Sequence, residues 1–138
     1  MLSLYDRIGG MSVIEKVQKI FYDKVYNHNW LGLYFKHIDQ KHIESQQAKF
    51  MSGLMGGPKI YMGSVPKEAH RIILATNELF DVRKGLLIES LKEANIGQSE
   101  IDEWIKKDEA FRSVIVKKSI SDCKKVYDDE EIIYYEKP

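Results

Sequence analysis

The sequence has little cysteine, no long apolar run and no excess of charge of either sign. Cys123 is the single cysteine among 138 residues, so no disulfide can form within the chain, and no Cys and His spacing matches a zinc site. A lone thiol is typical of a reducing compartment, and we expect a cytoplasmic protein. Asp6 and Arg7 interrupt the N-terminal apolar residues, unlike a secretory signal, and no apolar run reaches membrane-spanning length. No membrane partner is expected.

The charge balance excludes another class of partner. The chain has 21 Lys and Arg residues against 21 Asp and Glu residues, so its formal net charge is zero. A neutral chain has no global field to attract nucleic acid or an anionic membrane surface. Catalytic triads, Walker loops and dinucleotide fingerprints are also absent. What remains is a chain that is 43% apolar, which is sufficient for the core of one compact domain.

The apolar residues recur with helical spacing along nearly the whole chain, and no stretch alternates as a half-buried strand does. This pattern predicts an all-α fold. Ser12 and Glu15 have the spacing of a capping box at the start of the first long helix. Asp39 and Thr76 are suitable N-caps for two later helices. The aromatic stretch 30–35 predicts a brief helical turn on the core.

Three later segments depart from simple helices. The loop from Gly56 to Pro66 has no periodicity, and loops of this length usually serve a function or wrap a ligand. A short helix over Lys67 to Leu74 is predicted next. The last long helix runs from Ser99 into the 120s, and its charged middle, Lys106–Glu109, favours a break. Val114 is expected to point inward from this helix.

The tail differs in composition from the rest of the chain. Four acidic residues, 128–131, precede the apolar and aromatic residues Ile132–Tyr135. Such a segment is either a frayed end or a small docking segment. We therefore divide the chain into a domain over residues 1–125 and an acidic and aromatic tail over residues 126–138.

Polar residues occupy positions on the apolar helix faces. Gln47 lies on an apolar stripe with Gln46 at its border, Tyr22 adjoins another stripe, and Arg83 interrupts a third. An unsatisfied buried polar group costs roughly 1–3 kcal/mol, so each residue either bonds to a nearby carbonyl or lines a pocket. His70 follows the long loop and is either a surface residue or a metal ligand. A single neutral imidazole suffices for iron when a macrocycle supplies the other ligands, as in haem proteins.

Several short motifs occur in a specific order along the chain. They are Leu4–Gly10 (LYDRIGG), Phe21–Tyr22, Tyr34–Phe35, Gln46–Phe50 (QQAKF), Gly56–Pro58 with Tyr61 and Gly63, and Ala69–His70. In order and spacing they resemble the truncated haemoglobins, closest to the first group of that family, over roughly Leu4 to Ile115. The resemblance implies a two-over-two α-helical sandwich around one haem b.

The resemblance also implies roles for individual residues. His70 matches the family's proximal iron ligand, and Tyr22 and Gln47 match a distal tyrosine and glutamine that bind the gas ligand together. Each of those two side chains is also expected to satisfy the other when no ligand is bound. Gln46 is expected beside them at the ligand site. The residues expected to contact haem are Phe35, Ile43, Phe50, Tyr61, Lys67, Phe80 and Arg83, with Tyr61 and Lys67 near the propionates.

Two features depart from the family pattern, and a third feature excludes a bond that some relatives make. Gln46 stands where many relatives have a cation or a second histidine, which argues against bis-histidyl coordination there. Arg83 stands where the family has an apolar residue or Trp, so its guanidinium either reaches solvent or a propionate or enters the pocket. No histidine follows His70, so the covalent haem attachment of some relatives is not expected. His42 is the alternative axial ligand if His70 is not used.

The function implied by the resemblance is reversible binding of oxygen and other diatomic gases, including nitric oxide and carbon monoxide, at a single haem iron. One interpretation is enzymatic: oxidation of nitric oxide to nitrate, with a reductase as partner. A second is oxygen storage or sensing without turnover. A third is a haem-free helical interaction module, to which the tail residues Ile132–Tyr135 would add a contact surface.

Overall fold

The computed structural model describes residues 1–138 and consists of seven α-helices with two short 3₁₀ turns. The helices are α1 (Leu4–Ile8), α2 (Met11–Asn27), α3 (Gln40–Leu54), α4 (Pro66–Ala69), α5 (Asn77–Glu93), α6 (Gln98–Glu109) and α7 (Arg112–Ile115). The 3₁₀ turns are Leu31–Phe35 and Ile120–Asp122. The strand-like pairings are two isolated bridges, Ile73 with Ile133 and Ala75 with Val116. The all-α prediction is confirmed.

The helices pack in two layers. Helix α2 packs on α3, α5 packs on α6, and contacts between α2 and α5 join the layers. The apolar face of α2 is fully buried in the core at Ile14, Val17 and Val25, and Trp104 of α6 is 1% exposed. The first 3₁₀ turn lies on α2 and α5, which confirms the predicted aromatic turn. This arrangement is the two-over-two sandwich. None of the helices is long and apolar enough to cross a bilayer.

Two of the three predicted helix starts are confirmed. The Asp39 carboxylate accepts a hydrogen bond from the backbone N of His42 at 2.9 Å. The Thr76 hydroxyl accepts one from the backbone N of Leu79 at 3.2 Å. The capping box at Ser12 is wrong, because α2 begins two residues earlier than that box requires, at Met11, with Gly10 as its N-cap. Gly9 and Gly10 have φ values of 112° and 81°, so the chain turns before Ser12 and places it inside the helix.

The turn after α3 packs against α1. Gly56 has a φ of 90°, a conformation that disfavours other residues. A Cβ on Gly57 would lie 2.3 Å from the Tyr5 ring, so only glycine allows this approach. The backbone N of Tyr5 also donates to the Met55 carbonyl at 3.0 Å. The long loop therefore starts from a fixed point on α1.

The predicted helix over Lys67 to Leu74 is wrong beyond its first turn. Helix α4 ends at Ala69, residues 70–72 form a turn, and Ile73 and Ala75 form isolated bridges. The Ile133 backbone N donates to the Ile72 carbonyl at 2.8 Å, and the Leu74 N donates to the Ile133 carbonyl at 3.0 Å. Hydrogen bonds to the distant tail therefore replace the bonds of a local helix.

The predicted break in the last helix is confirmed, but the predicted continuation into the 120s is wrong, because α7 ends at Ile115. Helix α6 ends at Glu109, directly after the charged stretch, and α7 begins at Arg112. The break changes the direction of the chain, so Val114 is 39% exposed rather than inward.

The C-terminal tail docks on its own chain and is not a frayed end. The Trp30 indole Nε1 donates to the Tyr135 carbonyl at 2.8 Å, and the Tyr34 hydroxyl donates to the same carbonyl at 3.1 Å. The Arg71 guanidinium donates to both carboxylate oxygens of Glu130, at 2.7 and 2.6 Å. The tail thus covers the residues that directly follow His70.

Candidate functional site

A small cavity lies between α2, α3, α5 and α6. It brings together three polar-stripe residues that the sequence analysis selected: Tyr22, Gln47 and Arg83. The remaining lining residues are Gln18, Phe21, Met51, Leu87, Trp104 and Asp108. The cavity has a volume of about 10 Å³, and polar groups from four helices converge on it.

Tyr22 is a buried tyrosine whose hydroxyl has no partner in the protein. The residue is 4% exposed, and its ring packs edge-on against Phe21 and Phe35, at centroid distances of 4.9 and 5.8 Å. Burial raises the pKa of Tyr22, so its hydroxyl keeps its proton and stays a donor. No hydrogen bond joins Tyr22 to Gln47, so the expectation that they satisfy each other is wrong for this structure. Both are free to donate to a ligand.

Arg83 is held by Asp108 of α6. Its two terminal nitrogens donate to the two carboxylate oxygens at 2.9 and 2.6 Å, and its guanidinium carbon lies 5.7 Å from the Phe21 ring centroid and 5.3 Å from that of Phe80. Burial acts to lower the pKa of Arg83, but the charge and hydrogen bonds of Asp108 outweigh it, and the pKa is raised. Arg83 lines the cavity, and its contact with a haem propionate stays a prediction.

His70 lies at the C-terminal end of α4, after the long loop. Its Nδ1 lies 2.7 Å from the Pro66 carbonyl oxygen, which can only accept, so Nδ1 carries the proton. Burial lowers the pKa of His70, with the Pro66 hydrogen bond opposing it and the charges of Arg83 and Lys117 adding to it. The imidazole is therefore neutral, and its Nε2 presents a lone pair with no protein hydrogen bond. This is the tautomer that binds a metal through Nε2.

Lys117 fixes the backbone around that histidine. Its ammonium donates to the carbonyls of His70 and Ile73 at 2.6 and 2.9 Å. No cluster of three or more metal-ligating side chains exists in the structure. An iron held by His70 would therefore take its remaining equatorial ligands from a macrocycle, and the donor set present fits haem.

The other residues predicted to contact haem are mostly buried or half-buried, and their role as haem contacts stays a prediction. Phe80 is 3% exposed, while Phe35 and Ile43 are half-buried. Phe50 packs edge-on against Tyr61 at a centroid distance of 5.2 Å. The Tyr61 hydroxyl donates to the Ser64 carbonyl at 2.6 Å, inside the loop.

Three further predicted residues stand outside the cavity lining. Gln46 is half-buried on α3 and does not line the cavity, and Lys67 is exposed on α4. His42 is exposed at the start of α3, which favours a solvated side chain over an axial ligand. The assignments of Gln46 and Lys67 stay predictions.

Sequence reasoning missed two polar residues of the cavity. Gln18 is 4% exposed and precedes Tyr22 by one helical turn, on the stripe of Ile14 and Phe21. The rule that selected Gln47 would also have selected it. Asp108 is 7% exposed, and its charged neighbours concealed it. Its position four residues after the buried Trp104 was the available signal.

Comparisons with known proteins agree with this geometry. A family model described as bacterial-like globin matches residues 3–117. The group 1 truncated haemoglobin of Tetrahymena pyriformis is 32% identical over 104 residues, covering 75% of this chain and 86% of that protein. The group 1 truncated haemoglobin GlbN of Mycolicibacterium paratuberculosis is 30% identical over 101 residues, covering 73% of this chain and 74% of that protein.

Solved structures agree as well. The crystal structure of the Tetrahymena pyriformis truncated haemoglobin in its Fe(III) form superposes with a TM-score of 0.78 at 31% identity, covering 85% of this chain and all of that one. The 2/2 haemoglobin of Synechococcus, in the cyanomet state with covalently attached haem, gives a TM-score of 0.77 at 26% identity, covering 83% of this chain and 98% of that one.

Proposed function

Because this chain belongs to the group I truncated haemoglobins, which bind haem b and gaseous ligands, we propose that it binds oxygen reversibly in the cavity beside Tyr22. The observation that carries the proposal is the hydroxyl of Tyr22, a residue that is 4% exposed; the hydroxyl is protonated and makes no hydrogen bond within the protein. Because Tyr22 lines the cavity, this donor is available to a ligand there. Haem iron supplies the open coordination position at which a diatomic gas is held.

His70 is the proposed axial ligand. The Pro66 carbonyl holds the proton on Nδ1 and directs the Nε2 lone pair away from that contact. Such a second hydrogen bond fixes ring orientation and raises ligand basicity. Lys117 restrains the carbonyl of the same residue, so the ring and its backbone are both fixed.

Gln47 is the proposed second donor to the ligand. It reaches the same cavity from α3, and its amide offers two N–H groups. An oxygen molecule accepts hydrogen bonds more strongly than carbon monoxide once it draws charge from iron, so two donors at this place favour oxygen. We propose that Gln18 and Gln46 tune this donor set from its border.

The proposed haem-binding unit is residues 1–125, with residues 126–138 as an accessory tail docked on it. Aromatic and aliphatic side chains would contact the macrocycle, and two residues of the loop and α4 would approach the propionates. The apolar set is Phe35, Ile43, Phe50 and Phe80, and the propionate set is Tyr61 and Lys67. The haem-free helical module is set aside, because the relatives that establish the family are haemoglobins.

A visible absorption spectrum tests the proposal. We expect the purified full chain to show a Soret band, or to gain one stoichiometrically on haem addition, and the ferrous form to bind oxygen and release it under argon. A chain that gains no Soret band, or one that oxidises irreversibly at the first contact with oxygen, would contradict it.

Two candidate functions remain: oxygen storage or sensing, and oxidation of nitric oxide to nitrate. They differ in how many equivalents of nitric oxide each protein molecule consumes. A protein that only stores oxygen consumes one equivalent of nitric oxide in its oxygenated form and then stops. An enzyme consumes many equivalents when a reductase and its reductant are added. Measuring nitric oxide decay with and without the reductase separates the two assignments.

A further inference from the structure

Lys117 is a half-buried lysine that uses every hydrogen-bond donor of its side chain. Its Nζ donates to the backbone carbonyls of His70, Ile73 and Ile115 at 2.6, 2.9 and 3.3 Å. A charged ammonium has three N–H groups, so three carbonyl acceptors use all of them, whereas a neutral amine has only two. The geometry therefore fits the charged form of Lys117, held against the carbonyl of the proposed axial ligand.

This charge has no carboxylate partner. Nζ of Lys117 bonds to carbonyl oxygens alone. The charge of Asp122 acts on Lys117, but its carboxylate accepts hydrogen bonds from the backbone N atoms of residues 118 and 119, both at 3.3 Å. Carbonyl dipoles stabilise the ammonium locally and carry no net charge, so the field of a full positive charge reaches the surroundings of Lys117.

Arg83 is a second cation that acts on His70, and it differs in this respect. After burial, which is the main cause, the charges of Arg83 and Lys117 both lower the pKa of His70. Arg83 donates to both carboxylate oxygens of Asp108, at 2.9 and 2.6 Å, so these two opposite charges largely cancel at a distance. Lys117 is therefore an uncompensated cation beside His70.

We propose that Lys117 sets the redox preference of the haem iron: its uncompensated charge beside His70 favours the ferrous over the ferric state. This proposal rests on the proposed haem function with His70 as the axial ligand. Reduction adds one electron to ferric iron and so removes one positive charge from the site. A fixed cation nearby repels the more positive ferric state more strongly, and the half-buried position reduces screening by salt.

Lys117 is thus a positioning residue with two separable effects. Its hydrogen bonds hold the backbone of His70, and its charge acts through space on the iron. Oxygen binding requires ferrous iron, so the charge would keep the site in the form that binds the gas.

The experiment is a reductive titration of the haem-loaded full chain at pH 7, with dithionite as the electron donor and redox dyes as mediators, followed by absorbance. K117Q removes the charge and keeps two N–H donors for the carbonyls. Its ferrous-to-ferric ratio at a fixed potential should fall at least about threefold, which corresponds to a midpoint lower by about 30 mV for one electron. K117R keeps the charge and should keep the wild-type potential.

Two further variants separate the charge from the hydrogen bonds. K118Q is the matched control, because Lys118 is the next residue, is exposed, and its side chain makes no hydrogen bond or ion pair, so its potential should equal that of the wild type. K117M has neither charge nor donors and should lower the potential as much as K117Q. Transfer of haem to an acceptor globin should be faster from K117M than from K117Q, because only K117M leaves the His70 carbonyl without a donor.

A wild-type potential in K117Q, a fall in K117R as large as in K117Q, or a fall confined to K117M would overturn the charge effect. Equal haem transfer from K117M and K117Q would overturn the effect of the hydrogen bonds. Each of these results comes from a chain that holds haem and leaves gas binding intact, whereas a wild-type chain without a Soret band would contradict the proposed function itself.

Discussion

The substitution of Tyr22 by phenylalanine removes one hydroxyl and little else. The ring keeps its packing against Phe21 and Phe35, at centroid distances of 4.9 and 5.8 Å. The hydroxyl makes no hydrogen bond within the protein, so its removal leaves no protein group without a partner. We therefore expect the free energy of unfolding to change little. Any large effect of Y22F on ligand release therefore comes from the lost donor.

The magnitude follows from the type of hydrogen bond. Bound oxygen draws electron density from ferrous iron, so the lost bond is one to a charged acceptor, which contributes roughly 1.5–3 kcal/mol. At about 1.4 kcal/mol per factor of ten, oxygen should dissociate from Y22F about ten- to a hundredfold faster. Carbon monoxide gains little from the same donor and should change far less. Y22F with Q47L should cost less than the sum of the single changes, because both donors share one acceptor.

Stopped-flow displacement of oxygen measures the rate directly. Y26F is the matched control, since Tyr26 lies one helical turn further along α2 and its hydroxyl already donates to the Ile38 carbonyl at 2.7 Å, outside the cavity lining. Y26F should release oxygen like the wild type. An oxygen release rate of Y22F within about twofold of the wild type would show that Tyr22 is a core tyrosine and that the pocket is misassigned.

Three further predictions concern the axial ligand, the tail and the glycines. H70A should retain haem poorly and recover it with added imidazole, as followed by transfer of haem to an acceptor globin; wild-type retention would place the axial ligand elsewhere. Hydrogen bonds from Arg71, and then from backbone N–H groups of the tail, lower the pKa of Glu130 to about 2. The ionised Glu130 carboxylate therefore stabilises the fold fully above pH ~4.5, and this stabilisation is lost as the pH falls through about 2. The melting temperature of E130Q should therefore lie below that of the wild type at pH 7 and converge with it toward pH 2; a gap independent of pH would refute this. G57A should lower the unfolding midpoint in urea, because its Cβ would lie 2.3 Å from a tyrosine ring. G85A, whose Cβ would have nothing within 4 Å, should raise the free energy of unfolding by about 0.5–1 kcal/mol. Equal urea midpoints for the two variants would count against both assignments.

Local rules predicted much of the fold. Helical periodicity, the N-caps Asp39 and Thr76 and the charged break after α6 are properties of neighbouring residues, and all three were readable from the sequence. The capping box at Ser12 was wrong because Gly9 and Gly10, both with positive φ, turn the chain so that the helix begins before Ser12. The helix over Lys67 to Leu74 failed because its bonding partners are about sixty residues away in the tail, and no local pattern encodes such pairing.

The candidate site was predictable where a polar residue interrupts an apolar stripe. Tyr22, Gln47 and Arg83 were selected in this way and share one cavity. Asp108 was not, because a carboxylate in a run of charged residues is indistinguishable from a solvated one until its partner is known. The free Tyr22 hydroxyl depends on distances between helices, which no spacing rule supplies.

The docked tail determines the dynamics of the segment behind the axial ligand. The Leu74 amide donates to the Ile133 carbonyl, and the Ile133 amide donates to the Ile72 carbonyl. Both amides therefore owe their protection from hydrogen exchange to this pairing and not to a helix. We expect departure of the tail to free these two amides together while the helical layers stay folded, so both should exchange at one common rate, that of this local opening. The bonds of His70 to Pro66 and Lys117 do not involve the tail, so the axial ligand would keep its orientation during such an opening. A protein or protease that captures the open tail would therefore expose residues 71–74 without contacting the cavity.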